Sequence, residues 1–206
     1  MKVLVFGENG KTGGLVVQRA IETGHDVTVL VRDAARFKIP GVRVLTGDAT
    51  KVADVAAAMR GQQAVIDSIG GTTPYKATNL ESASVSNMIA AMKAEGTRRL
   101  IVVSMMGIGD SRAQAPFWYK YLLMPTFLNG STKDKTRMEN LVSSSGLDYI
   151  IARPPILKDD PATGNITILG PGATGHSITR PDLANFLVDQ VETDQNLGRA
   201  VTVVNN

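Results

Sequence analysis

Lys2-Val3-Leu4-Val5-Phe6 runs directly into Gly7-Glu8-Asn9-Gly10-Lys11-Thr12-Gly13-Gly14. Four consecutive apolar residues without polar alternation read as a strand buried on both faces. The glycines at 7, 10 and 13 follow that strand and open a helical pattern, Thr12–Thr23, closed by Gly24. In a strand–turn–helix context each glycine has a mechanical task. The first allows a tight turn, the second lets the backbone approach a diphosphate, and the third lets helix and strand pack closely. Amide N–H groups at the helix start then face the anion, aided by the helix dipole. The stretch predicts a dinucleotide site at Gly7, Asn9, Gly10, Lys11, Thr12 and Gly13. A plain glycine turn is the alternative.

Outward from this stretch, β-branched runs alternate with helical patterns. Asp26–Val31, Val42–Leu45, Ala64–Ile69, Leu100–Val103 and Tyr149–Ala152 read as further strands. Val52, Val55, Ala56 and Met59 share one helix face, as do Val85, Met88, Ile89 and Met92. A fourth helix is expected over Thr132–Ser145 and a last one near Pro181–Val191, with a short strand at Ile166–Leu169 and an edge strand at Val201–Val204. Strands joined by crossover helices mean a parallel sheet, so the expected fold is α/β, a Rossmann-like doubly wound sheet with helices on both faces. One domain is expected over residues 1–206. Two long segments, about 105–130 and 158–180, follow strands and form its substrate side.

The 206 residues include no cysteine and two histidines. This excludes a disulfide scaffold, a thiolate metal site and a cysteine nucleophile, and no metal site is expected. The net charge of +3 comes from scattered basic residues, so no nucleic-acid face is expected. The apolar run at the start is too short for a signal peptide or a membrane span. A cytoplasmic protein without membrane contact is the expectation. Oligomeric state is not readable.

A dinucleotide site commonly ends its second strand with an acid for the ribose 2′-hydroxyl. Here Arg32 stands there, Asp33 falls one residue beyond, and Arg36 follows. Arginines in this place pair with a 2′-phosphate, which favours NADP(H) over NAD(H), unless they are solvated surface cations. Asp48 and Ala49, after the third strand, are expected near the adenine. Ser68, Ile69 and Gly70 offer small residues beside the dinucleotide.

The chain resembles the atypical short-chain dehydrogenase/reductases, in particular NmrA-like and flavin reductase (biliverdin reductase B)-like proteins. The resemblance rests on the GENGKTGG loop, VTVLVRD with Arg32, Gly47-Asp48, Ala90–Lys93 with Gly96, Thr136–Met138 to Gly146-Leu147, and Arg153-Pro154-Pro155. It implies a role for Lys135, with Glu139 four residues on, and for Ser104 after the fifth strand. Ser104 and Lys135 are the candidate catalytic pair, orienting nicotinamide and ribose. Pro154 and Ile156 are implied as further cofactor contacts. Relatives with alcohol chemistry carry Tyr-x-x-x-Lys. Here Ser131 stands four residues before Lys135.

A serine hydroxyl is a poor general acid near neutral pH. The expected function is therefore an NADPH-dependent reductase that passes hydride directly to a flavin or another conjugated acceptor. A non-catalytic NADP(H)-binding sensor is the second reading, and an epimerase or dehydratase the third. Phe117, Trp118, Tyr119, Tyr121 and Phe127 are five of the chain's ten aromatic residues. Trp118 and Tyr121 are candidates to stack on a planar acceptor, or else belong to a lid core or dimer contact. His25 reads as a surface residue, and Met88 and Met138 as core.

Overall fold

The computed structural model describes residues 1–71, 75–76 and 78–205. The first strand, β1 (Lys2–Phe6), carries the apolar run quoted above and is wholly buried from Val3 onward. It lies inside a seven-stranded sheet with β2 (Asp26–Val31), β3 (Arg43–Thr46), β4 (Ala64–Asp67), β5 (Arg99–Val103), β6 (Asp148–Ala152) and, at the far edge, β10 (Arg199–Val201). The order is β10-β6-β5-β4-β1-β2-β3, and every pairing is parallel. The order reverses between β1 and β4, which opens a crevice at their carboxyl ends.

Alternation along β1 divides the core in two. Val3 and Val5 join α1 (Lys11–Glu22) and α5 (Arg180–Asp189) on one face. Leu4 and Phe6 join α2 (Val52–Met59), α3 (Leu80–Glu95) and α4 (Asn129–Ser143) on the other. Met88 and Met138 belong to this second cluster. The helix α3 lacks a side-chain cap of its own. Asp134, fully buried on α4, supplies one: its carboxylate accepts from the amides of Glu81 (3.0 Å) and Ser82 (3.2 Å) and from the Ser82 hydroxyl (2.5 Å). A carboxylate at a helix N-terminus satisfies otherwise orphaned donors, so this bond fixes α4 against α3.

Several details differ from the sequence reading. The fourth strand ends at Asp67 rather than Ile69, because the Asp67 side chain accepts from the Ile69 amide and turns the backbone. The segment 199–204 is two strands rather than one. Arg199–Val201 closes the main sheet, and β11 (Val203–Val204) pairs antiparallel with β8 (Thr167–Ile168). The 158–180 region contains β8 and β9 (Ser177–Thr179), the latter pairing in parallel with β7 (Ile156–Lys158). The 105–130 segment holds a 3-10 turn (Gly109–Gln114) and a π-helical turn (Tyr119–Leu123) around a small core of Met105, Met106, Ile108, Ala115, Tyr119 and Met124. Turns this short have no period to read. His25 is not a surface group: its ring is 5% exposed, tucked beside Glu192 at 3.9 Å. Among the described residues no helix is long and apolar enough to cross a membrane.

Candidate active site

A cleft of about 470 Å³ opens where the sheet order reverses. Its floor begins with the glycine loop. Gly7 has φ +79°, a conformation that favours glycine, and a Cβ there would lie 2.5 Å from the Ser68 carbonyl carbon. A Cβ on Gly13 would lie 2.1 Å from the Gly7 oxygen, backbone against backbone. The loop therefore packs directly on the β4 end and on α1. No side chain caps α1, so its first amides are left to an incoming group. The cradle fits a diphosphate: the amides of Lys11, Thr12 and Gly13 stand at a helix N-terminus beside a gap that any larger residue would fill.

Ser68, Ile69 and Gly70 line the same cleft. Ser68 donates to the Phe6 carbonyl at 2.8 Å. Two buried carboxylates support this strip from behind. Asp67 accepts from the Ile69 amide at 2.9 Å, and Glu81 from the Gly71 amide at 3.3 Å. Burial pushes the Asp67 carboxyl up to about 7, against the opposing pull of the Ile69 amide and Lys135.

Ser104 and Lys135 come together on the opposite wall. Lys135 donates to the Val103 carbonyl at 3.1 Å and pairs with Glu81 at 3.1 Å. An ammonium has three N–H groups, so one is left for the cleft. The Ser104 hydroxyl donates to Glu139 at 2.5 Å. Arg153 grips the same carboxylate through Nε (3.0 Å) and Nη2 (2.6 Å) and reaches Asp110 at 2.5 Å. The Ser104 proton is thus committed inward, and its lone pairs face the cleft. Glu139 and Arg153 entered the sequence reading only as parts of a resemblance. Their signal is spacing: Glu139 sits one helical turn beyond Lys135, and Arg153 follows β6.

The structure brings Ser131 and Tyr119 into the cleft, together with Pro154, Pro155, Leu157 and Arg180. Tyr119 figures in the sequence reading only as one of the five clustered aromatics. Burial pushes its hydroxyl up to about 12. Trp118 and Tyr121 do not line the cleft but point outward, 45% and 56% exposed. Ile156 lies on β7 with its side chain facing away, and its neighbours Pro155 and Leu157 take the lining positions. At the mouth, Lys11 pairs with Asp159 at 2.6 Å, and Arg180 holds the same carboxylate.

The adenosine-side candidates stand beyond the cleft. Asp33 caps the short turn Ala34–Arg36 by accepting from the Ala35 amide at 3.0 Å. Arg32 and Arg36 are exposed, and neither side chain makes a hydrogen bond or ion pair among the described residues. Asp48 accepts from the Thr50 amide and hydroxyl at 2.9 and 2.8 Å, which holds its carboxyl below the usual range. The Ala49 carbonyl accepts from Asn87 at 3.0 Å. Glu8, passed over in the sequence, is buried beside Asn9, which donates to it at 2.7 Å, and burial raises its pKa. Asn9 itself is thereby turned toward its neighbour.

Comparisons with known proteins agree with this geometry. The model of the NAD(P)H-binding family matches residues 7–194. The chain is 29% identical to an uncharacterized chloroplastic protein of Arabidopsis thaliana, over 98% of this chain and 76% of that one. It is 27% identical to the uncharacterized sugar epimerase YhfK of Bacillus subtilis, over 97% of this chain and 92% of that one. The solved structure of ChuY, an anaerobillin reductase from Escherichia coli O157:H7, superposes with a TM-score of 0.81 at 26% identity, covering 99% of this chain and 97% of that one. The chain belongs to the NAD(P)H-binding family.

Proposed function

We propose that this protein is an NADPH-dependent reductase of a planar conjugated acceptor, flavin-like or tetrapyrrole-like. The observation that carries this reading is the state of the hydroxyl groups at the cleft. Reducing a ketone needs a ready acid at the carbonyl oxygen. The Ser104 proton is held by Glu139, the Tyr119 hydroxyl is pushed up to about 12, and Ser131 stands where alcohol-active relatives have tyrosine. A conjugated acceptor delocalises the incoming charge and takes its proton from water. The ChuY likeness supports the same chemistry, since that neighbour is named a reductase.

Reduced nicotinamide, when bound, supplies the hydride. The chain's own residues bind and orient. Gly7, Asn9, Gly10, Lys11, Thr12 and Gly13 hold the diphosphate. Arg32 and Arg36, unpaired and exposed, take the 2′-phosphate, which makes NADP(H) the preferred cofactor. Asp48 and Ala49 border the adenine. Ser68, Ile69, Gly70 and Pro154 complete the cofactor wall, with Pro155 and Leu157 standing where Ile156 was expected. The free N–H of Lys135 and the lone pairs of Ser104 orient the ribose and nicotinamide. The acceptor lies against Met105, Tyr119 and Leu128, the apolar lining opposite the glycine loop. Trp118 and Tyr121 serve only from the outer side of that wall. We place the protein in the cytoplasm, where a cysteine-free chain loses nothing by lacking disulfides.

The test is oxidation of NADPH by purified protein with a panel of flavins, quinones and a linear tetrapyrrole. Turnover with one or more of them is expected. Tight cofactor binding with no turnover would instead identify a sensor. Interconversion of a sugar without net cofactor oxidation would identify an epimerase, the chemistry named for YhfK.

A further inference from the structure

The segment over the cleft has two faces. i→i+5 bonds, from the Met124 amide to Tyr119 and from the Leu128 amide to Leu123, set Tyr119 and Met124 inward. Phe117, Tyr121 and Leu122, four and five residues apart, share the opposite side. There Phe117, Trp118, Tyr121, Leu122 and Phe127 are between 45% and 78% exposed. The rings of Phe117 and Tyr121 stand 4.7 Å apart and those of Phe127 and Tyr75 6.2 Å apart, so the exposed rings meet in pairs rather than singly. An exposed cluster of large apolar groups on this scale marks an interaction surface.

The charge around it selects the occupant. Lys120 lies 5.2 Å from the Tyr121 ring centroid, and Lys76 adjoins Tyr75. Arg112, Lys133 and Arg137 are exposed nearby in the chain. Between residues 105 and 137 the only acids are Asp110, paired with Arg153, and Asp134, buried. A second copy of this chain would bring the same cations to both sides of a self-complementary contact. Aromatic rings with amphipathic tips, leucine and cations with no free acid match the headgroup region of an anionic bilayer.

We propose that the outer face of residues 117–127 is a peripheral docking surface for an anionic phospholipid membrane. This revises the expectation of no membrane contact, and it involves no spanning helix. Trp118 is the chain's only tryptophan and lies in the patch, so it reports directly.

The experiment mixes the NADPH-loaded protein with vesicles of phosphatidylcholine alone or of phosphatidylcholine and phosphatidylglycerol. Co-sedimentation and Trp118 emission are followed, and the runs are repeated with Phe117→Glu/Leu122→Glu, two exposed positions outside the cleft. Expected are a blue-shifted emission and partition at least about tenfold stronger into the anionic vesicles, reduced at least about tenfold in the double variant. An unchanged melting temperature and unchanged NADPH affinity show that the variant is folded. Failure to partition, equal partition into both vesicle types, or wild-type partition by the folded double variant would each overturn the proposal. A concentration-dependent dimer abolished by the same substitutions, without vesicle binding, would assign the patch to self-association.

Discussion

Arg32 directly follows β2 with an exposed guanidinium that makes no side-chain hydrogen bond or ion pair among the described residues. The nearest acid in sequence, Asp33, is engaged in capping the following turn. One charge-assisted hydrogen bond is worth about 1.5–3 kcal/mol, roughly tenfold to hundredfold in affinity. Arg32→Ala is therefore expected to weaken NADPH by that factor and to leave NADH nearly unchanged in calorimetric titrations. Equal losses for both cofactors would remove Arg32 from the 2′-phosphate. Asp67 offers a second residue-scale test. Its folded pKa of about 7 lies above the unfolded value of about 3.9, so the native state binds more protons between those limits. Its contribution to stability accordingly falls as pH rises from about 4 to 7 and stays unfavourable above. Asn at this site keeps an oxygen for the Ile69 amide and cannot ionise. Denaturation of Asp67→Asn is expected to be flatter in pH and to show a gain of a few kcal/mol at pH 8. A profile parallel to the parent's would contradict the assignment.

At the scale of elements, the regular strands and helices were legible because each carries a period. The run Lys2–Phe6 and the stretch Asp26–Val31 match the observed strands residue for residue. The 117–127 turn was not legible as an inner and an outer face, since i→i+5 geometry spans too few residues to leave a pattern. Tyr119 and its outward neighbour Trp118 differ in burial, not in type. Nor do the buried partners of the site show in sequence. Glu81 and Asp134 look like solvated helix acids until α3 and α4 are packed together, while Glu139 shows only through the resemblance and its spacing from Lys135. Asp182 is a similar case at the start of α5. Burial alone would raise its pKa. The Thr163 amide (2.8 Å) and hydroxyl (2.8 Å), the Asn205 amide group (2.5 Å) and the Gly164 amide (3.1 Å) outweigh this and bring it down to about 2. With the folded pKa below the unfolded one, this stability is present above about pH 4 and is lost as pH falls through about 2. Asp182→Asn is expected to cost about 2–3 kcal/mol at pH 7 and to blunt acid unfolding between those limits. Unaltered acid unfolding would show that these donors do not hold the carboxylate.

Across the whole molecule, the parallel sheet and its order reversal put the glycine loop, Ser104 and Lys135 around one cleft, although Ser104 lies 91 residues and Lys135 122 residues beyond Gly13 in the chain. That assembly follows from strand order, and strand order follows from crossover connections, so the gathering of these residues at one cleft was readable from the sequence. The proposed acceptor side was not, because the 105–130 segment folds around a private core with no period to read. The central claim is direct hydride delivery from bound NADPH to an acceptor across this cleft. It is tested by single-turnover oxidation of NADPH carrying deuterium at the transferred C4 position, compared with unlabelled NADPH, with the best acceptor of the panel. The account predicts complete cofactor oxidation that is measurably slower with deuterium. Oxidation at the same rate with either label, from the outset of the turnover to its end, or cofactor that remains reduced in the presence of every acceptor, would contradict it.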